Sequence, residues 1–435
     1  MNLGGLTLEQ TPPLGVPLRY FMTAPLFALL AGGWWLWHYE TILAAPLSPE
    51  ALALVHLVAL GVLQMIFIGA IQQLVPVLGG VALWQSLWVA RLVHGGLVVG
   101  TLLLSTGLYL GESRLLLSAA LLLLLAHLLF ILVVAAALWQ ARRYLRETLH
   151  GLALLLPFVV TLVGFGIWLI LARSGWLTQL GYYEILRQSH IIVAVGGWFI
   201  GVVVAVALQL VPMFQTTPPY PRRFRVVMVP LWIVLLWGGL FIDDLRYVAL
   251  AWLALFSVVT LWLQQHRMRK VADVTVSWWR SGVVVLLLIS LMGLLHPWIA
   301  QLFNYYSLTI ALLWVGAVLL PLMVGMLYKI IPFLCWLHLH NRQLALWQQT
   351  TRVKIPNMRQ FVSERSAQWL LYLWYGMVPA ILLLNGYADS AALILGGVWL
   401  LFWIGWSGQQ YAAIRTFMQV DRQLKLVTLE SAEHR

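Results

Sequence analysis

Residues 115–138 read LLLSAALLLLLAHLLFILVVAAAL, and the only polar side chains among them are Ser118 and His127. A strand of a membrane β-barrel alternates apolar and polar positions, whereas this stretch is apolar on every face. A helix of this length rises about 36 Å at 1.5 Å per residue, which exceeds the hydrocarbon thickness of about 30 Å. The stretch therefore predicts a transmembrane α-helix.

The whole chain has the same character. Of its 435 residues, 62% are hydrophobic and 9% are charged, whereas a water-soluble domain carries about a quarter charged residues. This composition excludes a soluble globular protein and predicts one all-α, polytopic membrane domain over residues 1–435. Hydropathy predicts twelve spans, near 17–37, 51–77, 84–109, 114–138, 152–173, 188–213, 225–242, 246–265, 281–302, 306–337, 367–386 and 390–412.

The net charge of +12 is distributed unevenly along the predicted topology. With the N-terminus inside, 22 of the 26 Lys and Arg residues fall on the inner side, giving net charges of +15 inside and −3 outside. The positive-inside rule thus predicts a cytoplasmic (inner) membrane protein with both termini cytoplasmic. The orientation of the protein in the membrane and its contact with anionic lipid account for the excess of basic residues, so no nucleic-acid partner is expected. Residues 338–366 are predicted as a cytoplasmic loop, and 413–435 as a tail that forms a surface helix or a frayed end.

Three of the spans end in a common pattern, which is Gln73–Pro76 (QLVP), Gln209–Pro212 (QLVP) and Lys329–Pro332 (KIIP). A small residue stands four positions before each polar one. The motif prolines are 136 and 120 residues apart, which predicts three pseudo-symmetric four-helix units, near 17–138, 152–265 and 281–412. The polar residue has two possible roles. It can satisfy a carbonyl freed by proline, or three such groups can line aqueous pathways.

Two of these spans also begin alike, because His56 and His190 stand 20 and 22 residues before Pro76 and Pro212. Twelve spans, three four-helix units and a histidine near the outer end of spans 2 and 6 resemble the catalytic subunit of haem-copper oxidases and nitric oxide reductases. They also look like the related NnrS-type proteins. The resemblance covers the whole chain in topology, and its motifs lie in spans 2 and 6.

The resemblance implies that His56 ligates a low-spin haem b and that His190 occupies the span of a copper ligand. In that superfamily span 10 supplies the haem's second axial histidine and span 7 supplies two more copper ligands. Here spans 10 and 7 contain no histidine, and no span contains Asp or Glu. A complete terminal oxidase is therefore not expected. The implied roles are electron transfer, a response to NO-type gas ligands, or support of respiratory-chain components.

Three further histidines are candidate haem or copper ligands. His94 and His127 are predicted near mid-bilayer on spans 3 and 4, and His296 near the outer boundary. The alternatives are interhelical hydrogen bonds for His94 and His127 and an interfacial position for His296. For His56 and His190, ligation and packing stay equally open. Lys329 either snorkels to the cytoplasmic boundary or contacts an anion such as a haem propionate.

A different class of function is also compatible with the sequence. A secondary transporter without a cofactor can use a pseudo-symmetric helical scaffold, and a structural subunit of a larger complex is a third possibility. Whether the protein is an enzyme stays open. Ten tryptophans are predicted to form the interfacial belt, namely Trp34, Trp35, Trp37, Trp84, Trp88, Trp176, Trp278, Trp279, Trp298 and Trp336.

Overall fold

The computed structural model describes residues 7–144, 147–177, 181–345 and 353–433, and these form a helical bundle. Eleven helices in these ranges are long and apolar enough to cross a membrane, one fewer than the twelve spans that hydropathy predicted. In chain order the long helices are α1 (Gly15–Ala44), α2 (Pro49–Gly79), α3 (Ser86–Leu110), α4 (Ser113–Arg143), α5 (Glu147–Arg173), α6 (Tyr183–Gln215), α7 (Arg222–Gly238), α8 (Asp244–Gln265), α9 (Val274–Leu294), α10 (Tyr306–Leu344), α11 (Glu364–Leu383) and α12 (Ala388–Glu433).

Helix α7 is the shortest of the twelve and corresponds to the predicted span 225–242. Its 17 residues rise about 26 Å, slightly less than the hydrocarbon core. The chain leaves one end of the bundle after α6 and returns to it after α8, because the Met268 N–H donates to Thr216 O at 2.9 Å. Helices α7 and α8 therefore run through the bundle in opposite directions.

Two predicted boundaries differ from the structure. Helix α10 continues to Leu344, so the predicted loop 338–366 begins as helix. It also contains a short helix, Met358–Phe361, capped by Asn357, while residues 346–352 lie outside the described ranges. Helix α12 is continuous over 46 residues, or about 69 Å, so the predicted tail begins as an extension of the last span.

Helices α2, α6 and α10 each contain a π-helical segment. The segments are Ala59–Gln64, Val193–Ile200 and Leu313–Leu319, and they begin 17, 19 and 19 residues before Pro76, Pro212 and Pro332. A π segment adds a residue to a helical turn; such segments are rare and are frequently found at functional sites. The three proline motifs are thus accompanied by the same irregularity in the backbone.

Glycines within two of these segments allow close packing against the preceding helix. Gly61 of α2 lies against Phe27 of α1, and Gly197 of α6 lies against Phe158 of α5, so a Cβ at either glycine would overlap the ring. Both glycines stand 15 residues before their motif proline. Helices α2 and α6 therefore share a local packing arrangement as well as a sequence pattern.

The three proline motifs lie at one end of the bundle, called the motif end below. The Thr7 N–H donates to Val77 O at 2.8 Å, and His338 of α10 contacts Pro12 O at 3.2 Å, which brings the ends of α2 and α10 to the N-terminal segment. The beginning of α9 joins them, because Lys329 Nζ lies 2.7 Å from Asp273 Oδ2.

The end of α6 reaches the same place. Arg267, which interacts electrostatically with Asp273, donates from Nε to Gln215 O at 3.0 Å. Arg342 of α10 pairs with Asp421 of α12, so the chain's described terminal segments both lie at the motif end.

Candidate functional site

His56 and His190 occupy equivalent places in α2 and α6. Each lies three residues before a π segment, and its carbonyl accepts a hydrogen bond from the first residue of that segment, Ala59 or Val193. In α10 the corresponding residue is Ile310. The position three residues before the π segment thus holds a histidine in α2 and α6 and an apolar residue in α10.

The hydrogen bond of His56 defines its tautomer. Its Nδ1 lies 2.8 Å from Leu52 O, and because a carbonyl only accepts, Nδ1 carries the hydrogen. In the neutral ring the lone pair then resides on Nε2. A histidine that ligates a metal commonly donates its other ring N–H to a carbonyl in this way.

His190 is close enough to His56 for the two imidazoles to interact electrostatically, and its ring also interacts with the Leu162 backbone. Its Nδ1 is buried and has no partner at normal hydrogen-bond geometry. The ring packs against Gly166 of α5, where a Cβ would stand 3.3 Å from Cε1. A buried ring nitrogen without a partner is uncommon and costly, and a ligand at this nitrogen would remove the cost.

His94 serves as an interhelical contact. Its Nε2 lies 2.8 Å from Thr23 Oγ1, and the Thr23 hydroxyl donates to Arg19 O at 2.8 Å. His94 Nε2 is therefore the donor to Thr23. The imidazole also packs edge-on against Tyr20, with ring centroids 5.3 Å apart.

The other two predicted ligands, His127 and His296, make their contacts elsewhere in the bundle. His127 is buried and bonds through Nδ1 to Leu123 O at 2.8 Å. His296 is exposed and packs against Tyr306, with centroids 5.1 Å apart. Within the described ranges no three His, Cys, Asp or Glu side chains are grouped so that they could hold a metal ion.

The polar residues of the three proline motifs have different environments. Gln73 is buried and its Oε1 has no partner, Gln209 is half-buried, and Lys329 pairs with Asp273. Pro76 and Pro332 are buried. Lys329 Nζ thus pairs with a carboxylate of the chain itself, and its predicted contact with an external anion stays a prediction.

The sequence analysis missed a polar contact at the centre of the bundle. Trp198 Nε1 donates to Gln64 Oε1 at 2.7 Å, and both side chains are 1% exposed. The Gln64 amide nitrogen is buried and has no partner. A glutamine in the otherwise apolar run 57–71 was the available signal.

The fold and these contacts define a polytopic α-helical membrane protein with a pair of neighbouring histidines at the end of the bundle opposite the motifs. No protein-family model matches the sequence, and no curated protein matches it either.

Proposed function

We propose that this protein binds a b-type haem or copper in the cytoplasmic membrane through His56 and His190. Its scaffold would be similar to the oxidase catalytic subunit, with three four-helix units and an incomplete ligand set. The role we assign is electron transfer or a response to an NO-type gas ligand, in contact with respiratory-chain components. The observation that carries the proposal is the repeated placement of the two histidines three residues before a π segment.

The imidazoles of His56 and His190 are suitable ligands for haem or copper. His56 and His190 would hold the group, since imidazole is a ligand that haem iron and copper both accept, and either group would supply one-electron chemistry when bound. The Leu52 carbonyl holds His56 in the tautomer that leaves Nε2 unprotonated. Gly166 leaves room for the ring of His190. The described residues do not supply a copper triad, so dioxygen reduction is not part of the proposal.

We further propose that the motif end faces the cytoplasm. Support comes from the basic residues near it, which include Arg267, Arg269, Lys270 and Arg280. By the positive-inside rule such clusters stay cytoplasmic. The histidine pair then lies toward the outer face.

Titration of the purified protein with haem and with copper(I) tests the ligand assignment. We expect saturable binding to the wild type and loss of affinity by at least about tenfold in His56→Ala and in His190→Ala, since even second-shell changes cost about 10–100-fold. The matched control is His127→Ala, which removes a histidine with the same type of bond to a backbone carbonyl. Equal binding by all four proteins would contradict the proposal.

A cofactor-free secondary transporter is the second candidate, and one observation favours it. Three glutamines of α2 have buried amide atoms without a partner, namely Gln64 Nε2, Gln72 Oε1 and Gln73 Oε1. Such atoms inside a membrane can bind a polar solute or ordered water. A protein that stays colourless in the titration but takes up a solute into proteoliposomes, and loses uptake in Gln64→Leu, would establish this alternative.

A further inference from the structure

Basic side chains cluster at the motif end between α6, α8 and α9. Arg267 donates from Nε to Gln215 O at 3.0 Å, and Arg280 donates from Nη2 to Gln264 O at 3.4 Å. Arg267 also interacts electrostatically with Arg269, Arg280 and Asp273. We call Arg267, Arg280 and the two glutamines the arginine site.

Asp273, the carboxylate that interacts with Arg267, is already engaged. Asp273 Oδ1 accepts from the Thr275 N–H at 3.0 Å, and its Oδ2 pairs with Lys329 Nζ at 2.7 Å. Lys329 therefore neutralises Asp273, and the charges of Arg267, Arg269 and Arg280 are left in excess. Partial burial lowers the pKa of Arg267, an effect that Asp273 opposes and the neighbouring arginines reinforce.

The backbone carbonyls hold the guanidinium groups but occupy few of their donors. Each guanidinium carries five N–H bonds. Arg267 directs two at carbonyls, Gln215 O and Val271 O, and Arg280 directs one at Gln264 O. Most of the N–H donors of each guanidinium group thus remain available to an acceptor.

A buried glutamine amide beside the arginines also has an N–H group that an oxygen acceptor would satisfy. Gln264 Nε2 donates to Gln215 Oε1 at 2.9 Å, and the two residues are 1% and 0% exposed. The Gln215 Nε2 and Gln264 Oε1 atoms are both buried without a partner. An unsatisfied buried N–H donor is unfavourable, and a bound oxyanion would accept from Gln215 Nε2, whereas Gln264 Oε1 requires a donor.

We propose that the arginine site binds the phosphate oxygens of an anionic ligand, and that this ligand is the headgroup of an anionic phospholipid. Guanidinium groups match phosphate geometry and bind it bidentately. The site lies at the ends of spanning helices, where headgroups stand and where basic pockets between helices bind anionic lipid. It is at the opposite end of the bundle from His56 and His190 and does not depend on their function.

The test measures lipid retained by the full-length protein in an uncharged detergent, using native mass spectrometry. Phosphatidylglycerol and phosphatidylcholine are added separately, and inorganic phosphate serves as the competitor. We expect phosphatidylglycerol to be preferred and Arg280→Gln to weaken it about fivefold, since one basic residue near anionic lipid contributes about 1 kcal/mol. Arg267→Gln/Arg280→Gln should weaken it further.

Matched variants keep the outcome interpretable. Arg143→Gln removes an exposed arginine outside the site and should change binding less than about twofold, as a single distant charge is screened. Arg280→Lys keeps the charge and should recover only part of the affinity. Wild-type retention in Arg280→Gln, equal retention of the two lipids, or displacement of the lipid by inorganic phosphate would overturn the assignment to a phospholipid headgroup, the last result indicating free phosphate instead.

Discussion

The indole N–H of Trp198 donates to Gln64 Oε1 at 2.7 Å and thereby joins two π segments, since Gln64 ends the first and Trp198 lies within the second. Phe67 and Phe199 pack beside this bond with ring centroids 5.3 Å apart. Helices α2 and α6 thus meet where both depart from α geometry. His56 and His190 each lie three residues before these segments, so the contact helps to fix their relative position.

We expect Trp198→Phe to destabilise the protein by about 1 kcal/mol, because interhelical hydrogen bonds in membranes contribute about 0.6 and at most about 1.7 kcal/mol. The change leaves Gln64 with a second unsatisfied atom. Unfolding in mixed micelles of mild detergent and dodecyl sulfate measures the effect. Trp37→Phe is the control, since Trp37 is 84% exposed. Equal stabilities of the two variants would show that the bond contributes nothing.

Gly197→Ala should destabilise by about 1–3 kcal/mol, the usual cost of overpacking, because the added Cβ would overlap Phe158. Gly164→Ala on α5 is the matched control. No atom lies within 4 Å of a Cβ built there, so the variant should be neutral or more stable by up to about 1 kcal/mol. Folding assays on both variants separate close packing from helix propensity. A stable Gly197→Ala protein would refute the packing account.

Lys329→Met should destabilise by about 1 kcal/mol, because the Asp273 side chain, 15% exposed, loses its cation while solvent screening limits the cost. Adding Asp273→Asn to Lys329→Met should restore most of the lost stability. Arg359→Gln breaks a pair whose members are 53% and 47% exposed and should change stability by less than about 0.5 kcal/mol. A double variant no more stable than Lys329→Met would argue against direct coupling.

The orientation can be tested by cysteine labelling in intact cells with a membrane-impermeant maleimide. Cys335 is buried, so the background should be low. We expect Glu112→Cys, at the end opposite the motifs, to react from outside, and Arg143→Cys to react only after permeabilisation. The reverse pattern would place the motif end outside.

Much of the fold could be predicted from the sequence, because long apolar runs have few alternatives to spanning helices. The helices followed the predicted spans, and the repeated proline motifs lie at one end of the bundle. The tryptophans predicted for the interfacial belt differ in their packing. Trp37, Trp84 and Trp298 are exposed, whereas Trp35, Trp278 and Trp279 are buried against neighbouring helices, which the sequence pattern did not indicate.

The remaining features depend on contacts that a hydropathy pattern does not contain. A π segment reflects a shift in backbone hydrogen bonding, which leaves the apolar composition unchanged. The partner of Lys329 lies 56 positions away at Asp273, and that of Gln64 lies 134 positions away at Trp198. For His56 and His190 the sequence predicted the equivalent positions but could not provide their hydrogen bonds.

The most direct test of the central claim is the absorption spectrum of the detergent-purified protein, recorded together with its haem and metal content. The account predicts about one haem or copper per chain, held by two histidines. It predicts loss of that content in both His56→Ala and His190→Ala, with His127→Ala unchanged. A well-folded wild-type protein that is colourless and metal-free, or a cofactor that both variants retain, would contradict it.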